Sequence, residues 1–286
     1  MKSSAFYIGA NRLAWDEAMP RHQAKNQSKW DDRFQNPDYY VFENPELEKL
    51  NELGISGKDI AHVCCNNGVE LMSLKNLGAN RCVGFDFSEM AISEAQRRAK
   101  ACGISCEFFR TDVYEIEDRF YGIFDIVYVS IGCFGWLPDL EKLFKKISSL
   151  LKKGGVLFVY EQHPFVEMLP TDSGSESDPL KIVEPYFRTE PFEDTHGIDY
   201  VGGTVYDSKP NYWFVWTLSD IFMSLKSASL QLDTFYEYPQ DISAEHQRTE
   251  NAGVQIPLSY ILTARSVVYT PQTPIFSVPS NPPKWW

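Results

Sequence analysis

Basic residues are in short supply. Lysine and arginine total 27 against 39 aspartates and glutamates, 27 − 39 = −12. Phosphate backbones are bound mainly through lysine and arginine with release of counterions, so a surface this acidic disfavours nucleic acid as a partner. No apolar run approaches the ~20 residues that span a bilayer. The first residues, Met1-Lys-Ser-Ser-Ala-Phe-Tyr7, lack the apolar segment of a secretory signal. The expectation is a cytoplasmic protein with no membrane partner. Its six cysteines, at 64, 65, 82, 102, 106 and 133, contain no Cys-x-x-Cys pair. Cys102 and Cys106 have no histidine nearby, so neither a zinc site nor a disulfide framework is supported, and no metal is expected. Cys82 and Cys133 read as core thiols. Also missing are the three-glycine spacing of a dinucleotide fold, the Gly-Lys-Ser/Thr of a phosphate-cradling loop, and any internal repeat.

A hydrophobic content of 43% over 286 residues is enough for a sizeable core. Its organising stretch is Ile60-Ala-His-Val-Cys-Cys-Asn-Asn-Gly68, a short apolar run broken by a tight turn. Val69 to Leu77 follows with helical periodicity, Leu71, Leu74 and Leu77 on one face. A second apolar run, Cys82 to Phe85, closes on Asp86, 18 positions after Gly68. This is a β-α-β unit of the nucleoside-binding kind, in which the turn lets backbone approach the ligand and the acid accepts from ribose hydroxyls. Nothing basic sits in the turn. Backbone amides, Asn and Cys with an acidic rim suit a nucleoside without a phosphate, such as S-adenosyl-L-methionine.

Alternation continues. Ser88 N-caps a helix to about Ala101. Cys106 to Arg110 is a third strand leading into Thr111-Asp112-Val113, and Ile123 to Ser130 is a fourth. Pro138 opens a helix to Leu151, and Gly154-Gly155 turns into a fifth strand, Val156 to Tyr160. The predicted architecture is α/β, a Rossmann-like, mostly parallel seven-stranded sheet with helices on both faces. Residues 1–50, rich in aromatics with Pro37 and Pro45, read as short helices and turns forming an N-terminal lid over residues 51–269. An aromatic-rich insertion, 165–217, follows the fifth strand and folds back over the site, with Val201–Tyr206 in a hairpin or short antiparallel strand. A helix from Ser219, a strand from Leu230 to Tyr238 and a last strand from Tyr260 to Tyr269 complete the unit. The proline-rich tail is 270–286.

His62-Val-Cys-Cys-Asn-Asn-Gly68, Val83-Gly-Phe-Asp-Phe-Ser88, Thr111-Asp-Val-Tyr114, Phe124-Asp-Ile-Val-Tyr-Val-Ser130 and Leu151-Lys-Lys-Gly-Gly155 occur in the order seen in class I S-adenosylmethionine-dependent methyltransferases. The chain resembles a bacterial small-molecule branch of that family, one that writes its first motif as His-Leu-x-Cys-x-x-Gly. Asn11-Arg-Leu-Ala-Trp-Asp-Glu17 and Glu161-Gln-His-Pro164 resemble the same branch. Cys64 and Asn66 stand where many relatives have glycine, and His62 where they often have an acid. The resemblance implies a cofactor site of Cys64, Cys65, Asn66, Gly68, Asp86, Phe87, Asp112, Val113 and Ser130, with Asp112 on the adenine amino group and Ser130 toward the methionine. It also implies S-adenosyl-L-homocysteine as product.

Methyl transfer needs alignment and exclusion of water, and a base only for a protic acceptor. His163 is the expected base, with Tyr160 and Glu161 beside it. Trp15, Trp30 and Tyr200 are the expected substrate contacts. Each of these aromatics can instead anchor its segment to the core. The functional expectation is O-, N- or C-methylation of a small organic acceptor such as a secondary metabolite. Its rivals are an NAD-dependent oxidoreductase and a degenerate fold kept as a scaffold. Assembly as a homo-oligomer stays open.

Overall fold

The computed structural model describes residues 2–199, 201 and 203–267. Strands run at β1 (Ile60–Val63), β2 (Cys82–Asp86), β3 (Glu107–Arg110), β4 (Phe124–Val129), β5 (Leu151–Gln162), β6 (Phe192–Asp194), β7 (Asn211–Trp213), β8 (Leu230–Tyr238) and β9 (Ser259–Ser266). Helices run at α1 (Ser4–Arg33), α2 (Glu46–Leu53), α3 (Val69–Asn76), α4 (Glu89–Ala101), α5 (Leu140–Leu150), α6 (Leu218–Ser227) and α7 (Gln247–Glu250).

Seven strands form one sheet in the order β3-β2-β1-β4-β5-β9-β8, and β9 alone runs against its neighbours. Its parallel strands are buried on both sides, and their residues alternate between two cores. Ala61, Val63, Val127, Val129, Leu157 and Val159 face α5 and α6. Ile60, Ile126, Tyr128 and Phe158 face α2, α3 and α4. The order steps outward in both directions from β1 and β4, so the ligand crevice lies beyond the carboxyl ends of those strands. The predicted Rossmann-like sheet with helices on both faces is the fold observed.

The amino-terminal expectation needs correction. In place of short helices and turns, residues Ser4–Arg33 form one helix of 30 residues. Ser3 caps it, its side chain accepting from the Phe6 amide, and Pro20 lies on the exposed side. Its buried residues are Tyr7, Asn11, Ala14, Ala18, Met19 and His22, spaced at helical intervals, with Tyr7 and Met19 the large apolar groups among small and polar ones. Little apolar periodicity is there to read, because α1 meets α4 and β7 through small and polar groups interleaved with single large side chains.

Two smaller differences follow. The fifth strand starts earlier, at Leu151, because that residue pairs with Phe124 across an irregular register, which leaves Gly154 and Gly155 inside the strand. The short strands of the insertion are β6 and β7, paired antiparallel, and the described part of 201–206 lies in the connection between them. Asp139, one residue past Pro138, caps α5 through the Lys142 amide. Tyr200, the end of the last expected strand and the tail at 270–286 lie outside the described residues.

Candidate functional site

β1 ends in a turn in which Cys64, Asn66 and Gly68 all have left-handed backbone, with φ of 56°, 46° and 76°. Two non-glycine residues thus hold a conformation that L side chains disfavour. Gly68 has a second constraint: a Cβ there would fall 2.5 Å from the Phe108 ring. The Gly68 amide donates to the Cys65 carbonyl at 2.9 Å, and the Cys65 amide to Phe85 of β2 at 3.0 Å. Buried Arg98 of α4 donates to the Asn67 carbonyl at 3.0 Å.

Asp86 grips this turn from the end of β2. Its Oδ2 accepts from the Asn66 amide and its Oδ1 from the Ser88 amide, both at 2.9 Å. Burial pushes the carboxyl up to about 6, while the Ser88 and Asn66 amides favour its charge. Cys65 is fully buried and its thiol donates to the Asn66 carbonyl at 3.8 Å, whereas Cys64 is half-buried.

A cavity of about 450 Å³ opens at Phe87, the residue after Asp86; neither Asp86 nor the β1 turn is among its lining residues. Phe87, Arg110, Thr111 and Asp112 line it from the sheet, and Ala5, Ile8, Gly9 and Arg12 from α1. That volume is within the range of small-ligand pockets. Asp112 accepts from the Tyr114 amide at 3.0 Å and caps the turn that buries Val113; burial raises its carboxyl. Ser130 Oγ lies 3.0 Å from Nε2 of His62. His62 is fully buried and its pKa falls to about 3 for that reason, so it stands as a neutral ring.

α1 and the insertion close the opposite flank. The Asn11 side chain donates to the carbonyls of Trp136 (3.1 Å) and Tyr212 (2.9 Å) and accepts from the Tyr212 amide at 2.7 Å. Asp16 accepts from Ser88 Oγ at 2.7 Å, which brings α1 against the start of α4. Trp15 meets Trp136 edge-on at 5.3 Å, and Trp136 meets Trp213 at 5.1 Å. The Trp213 indole donates to Glu167 at 2.9 Å. Burial lifts Glu167 to about 7 against that hydrogen bond. Glu161 accepts from the Gly132 and Phe134 amides at 2.7 and 3.0 Å, and burial lifts it also to about 7. It holds the loop that carries Trp136.

Of the expected substrate contacts, Trp15 belongs to this tryptophan row. Trp30 does not: it sits near the far end of α1, packed on the core that contains Phe34 and Phe42. The expected base is also elsewhere. His163 accepts the Phe165 amide at Nδ1 (3.1 Å), its Nε2 lies 3.0 Å from Glu237 of β8, and its ring abuts Tyr260 of β9. Burial lowers its pKa and Glu237 opposes that shift. Thus His163 faces the β8–β9 side, where it caps a short turn. Sequence reasoning missed Arg12, Asp16, Glu167 and the role of Asn11; the only signal was the Asn11–Glu17 stretch within the resemblance. Among the described residues no cluster of side chains suits a metal ion, and no helix is long and apolar enough to cross a membrane.

Residues 60–155 match the family model described as a methyltransferase domain. The chain is 29% identical over 105 residues to a ubiquinone biosynthesis O-methyltransferase of Erwinia tasmaniensis, covering 37% of this chain and 42% of that one. It is 29% identical over 112 residues to a ribosomal protein L11 methyltransferase of Vibrio vulnificus, covering 39% and 36%. The matches thus span less than half the length of these two relatives. A crystal structure of an S-adenosylmethionine-dependent methyltransferase from Mesorhizobium loti superposes with a TM-score of 0.57 at 19% identity, over 77% of this chain and 97% of that one. Residues 60–155 thus match a methyltransferase-domain model, and over 77% of its length the chain shares the fold of the Mesorhizobium loti S-adenosylmethionine-dependent methyltransferase.

Proposed function

We infer that the protein transfers a methyl group from S-adenosyl-L-methionine to a small organic acceptor. One observation carries the cofactor half: Asp86 accepts the Asn66 amide of the left-handed turn after β1, and Phe87, the next residue, lines a cavity of small-ligand size together with Asp112. Cys64 and Asn66 keep the turn's conformation without glycine, which speaks for a retained site and against a scaffold that has lost it.

Each Asp86 oxygen accepts one amide and has a further lone pair for a ribose hydroxyl. Asp112 would accept from the adenine amino group, beside Phe87. The cofactor supplies a methyl carbon on a cationic sulfur, so the protein has to align the acceptor and keep water out. The Trp15–Trp136–Trp213 row and α1 serve that end. Where the acceptor must lose a proton, we assign the task to Glu167, whose carboxyl at about 7 suits a base near neutral pH. His163, engaged with Glu237, has a supporting role in this reading.

The net charge of −12 and the enclosed aromatic flank favour a small acceptor over nucleic acid. The test is calorimetric titration with S-adenosyl-L-homocysteine, then transfer of labelled methyl from S-adenosyl-L-methionine into a metabolite extract. Micromolar binding and a labelled small product support the reading. No binding by folded, ligand-free protein rejects it, and label appearing only in protein or RNA rejects the small acceptor.

A further inference from the structure

The face that α1 turns to the cavity is Ala5, Ile8, Gly9 and Arg12, at the i, i+3, i+4 and i+7 spacing of a single helix face. Gly9 is the anomaly. A glycine inside a helix is less favourable than alanine because it has more backbone freedom to lose, and it is retained where backbone must come close to something. At Gly9 nothing on the protein needs the room: a Cβ there would meet no atom within 4 Å. The open space in front of it is the cavity that Phe87, Thr111 and Asp112 line from the other side. Arg12, one turn further on, also lines this space, and among the described residues no ion-pair or hydrogen-bond partner is seen for its guanidinium. Arg110, the other cation at the rim, is paired with Glu89 at 2.9 Å.

We propose that α1 is a wall of the nucleoside pocket, with the adenine ring lying against the bare backbone at Gly9 and its edges met by Arg12 and Asp112. This rests on the cofactor reading above. Adenine presents one amino donor and several ring-nitrogen acceptors. Asp112 suits the donor, and the planar guanidinium of Arg12 suits an acceptor or the ring face. The absence of a side chain at residue 9 makes room for a flat ring between helix and sheet. Hydrogen bonds from Asn11 to Trp136 and Tyr212, and from Ser88 to Asp16, hold this wall in place from either side of Arg12.

The experiment compares wild type with Gly9→Leu, Arg12→Ala and, as a control on the exposed side of the helix, Leu13→Ala. Each is titrated with S-adenosyl-L-homocysteine and with adenosine, and melted without ligand. Gly9→Leu should melt at the same or a higher temperature, since leucine favours helix. It should bind both ligands at least tenfold more weakly. Arg12→Ala should weaken both by a similar factor to each other, because the two ligands share the adenine, and Leu13→Ala should bind as wild type does. If wild type binds and Asp86→Ala does not, while Gly9→Leu binds normally, this inference falls and the cofactor reading stands. If wild type binds neither ligand, both fall. A Gly9→Leu protein that binds weakly only because it melts early would also overturn it, since the wall has then been unfolded and not filled.

Discussion

Replacing Asp86 by Asn separates the cost of a charged pocket from its use. The wild-type carboxylate accepts two backbone amides, from Asn66 and Ser88. An amide side chain can accept only one and turns its NH₂ group toward the other. One buried, unsatisfied amide costs about 1–3 kcal/mol. In the opposite direction, Asn removes the penalty of burying a charge. The Asp86 carboxyl lies at about 6 in the folded protein against 3.8 for the free group. A folded pKa that is raised means stability is fully present below the unfolded value and is lost as pH rises through the folded one. With those two values the loss is about 1 kcal/mol at pH 4.5 and about 3 kcal/mol at pH 7.5. Relative to wild type, Asp86→Asn should therefore gain about 2 kcal/mol between pH 4.5 and 7.5, and near neutrality the two proteins should differ little. Urea unfolding at the two pH values measures this. Binding should behave otherwise. S-adenosyl-L-homocysteine should bind the variant at least tenfold more weakly at pH 7.5, about 1.4 kcal/mol. Wild-type affinity should fall as pH drops through about 6, with no such fall in the variant. A variant equally destabilised at both pH values, or one that binds normally, would refute the argument.

Asn11→Ala should cost about 2–4 kcal/mol, because it strands the Tyr212 amide and leaves two buried carbonyls without their donor; hydrogen exchange at the Tyr212 amide should quicken, and an unchanged rate would mean that α1 is held by other contacts. Gly68→Ala should cost about 2–4 kcal/mol through strain at positive φ and overlap with Phe108, and a melting temperature equal to wild type would contradict the geometry of the turn. His163→Ala should lower stability by about 1 kcal/mol through loss of a cap and leave cofactor affinity unchanged. Glu167→Gln should leave cofactor affinity near wild type and raise stability by about 3 kcal/mol near pH 8, where the wild-type carboxylate is buried charged, but slow turnover of a protic acceptor and abolish its rise through about pH 7. The converse pattern, turnover lost in the His163 variant and kept in the Glu167 variant, would move the base to His163.

The turn after β1 and the acid that ends β2 were legible because their signals are local. Asn66-Asn67-Gly68 breaks an apolar run, Asp86 ends the next one, and Ser88 caps a helix; each sits within a few residues of what it acts on. Left-handed backbone at Cys64 and Asn66 was not legible, since neither residue announces positive φ as glycine does. Nor was α1 as one helix. Between buried Tyr7 and Met19 its inward face carries Asn11, Ala14 and Ala18, with His22 beyond, so polar and small groups interrupt the apolar stripe. Those groups make sense only against Trp136, Tyr212 and Ile198, which lie more than a hundred residues further along the chain.

By itself, then, the sequence determined the parallel sheet and the turn-and-acid pair at its edge. Strand alternation, turn residues and helix caps act over a few positions, and their energies do not depend on what folds beside them. Tertiary structure alone decided what closes the crevice. Trp15 joins the tryptophan row while Trp30, on the same helix, joins the core with Phe34 and Phe42. His163 turns to Glu237 while Glu167, four residues on, turns to Trp213. Residue type was no guide to those choices, because an aromatic ring or a titratable group takes its environment from strands and loops brought in from elsewhere in the chain.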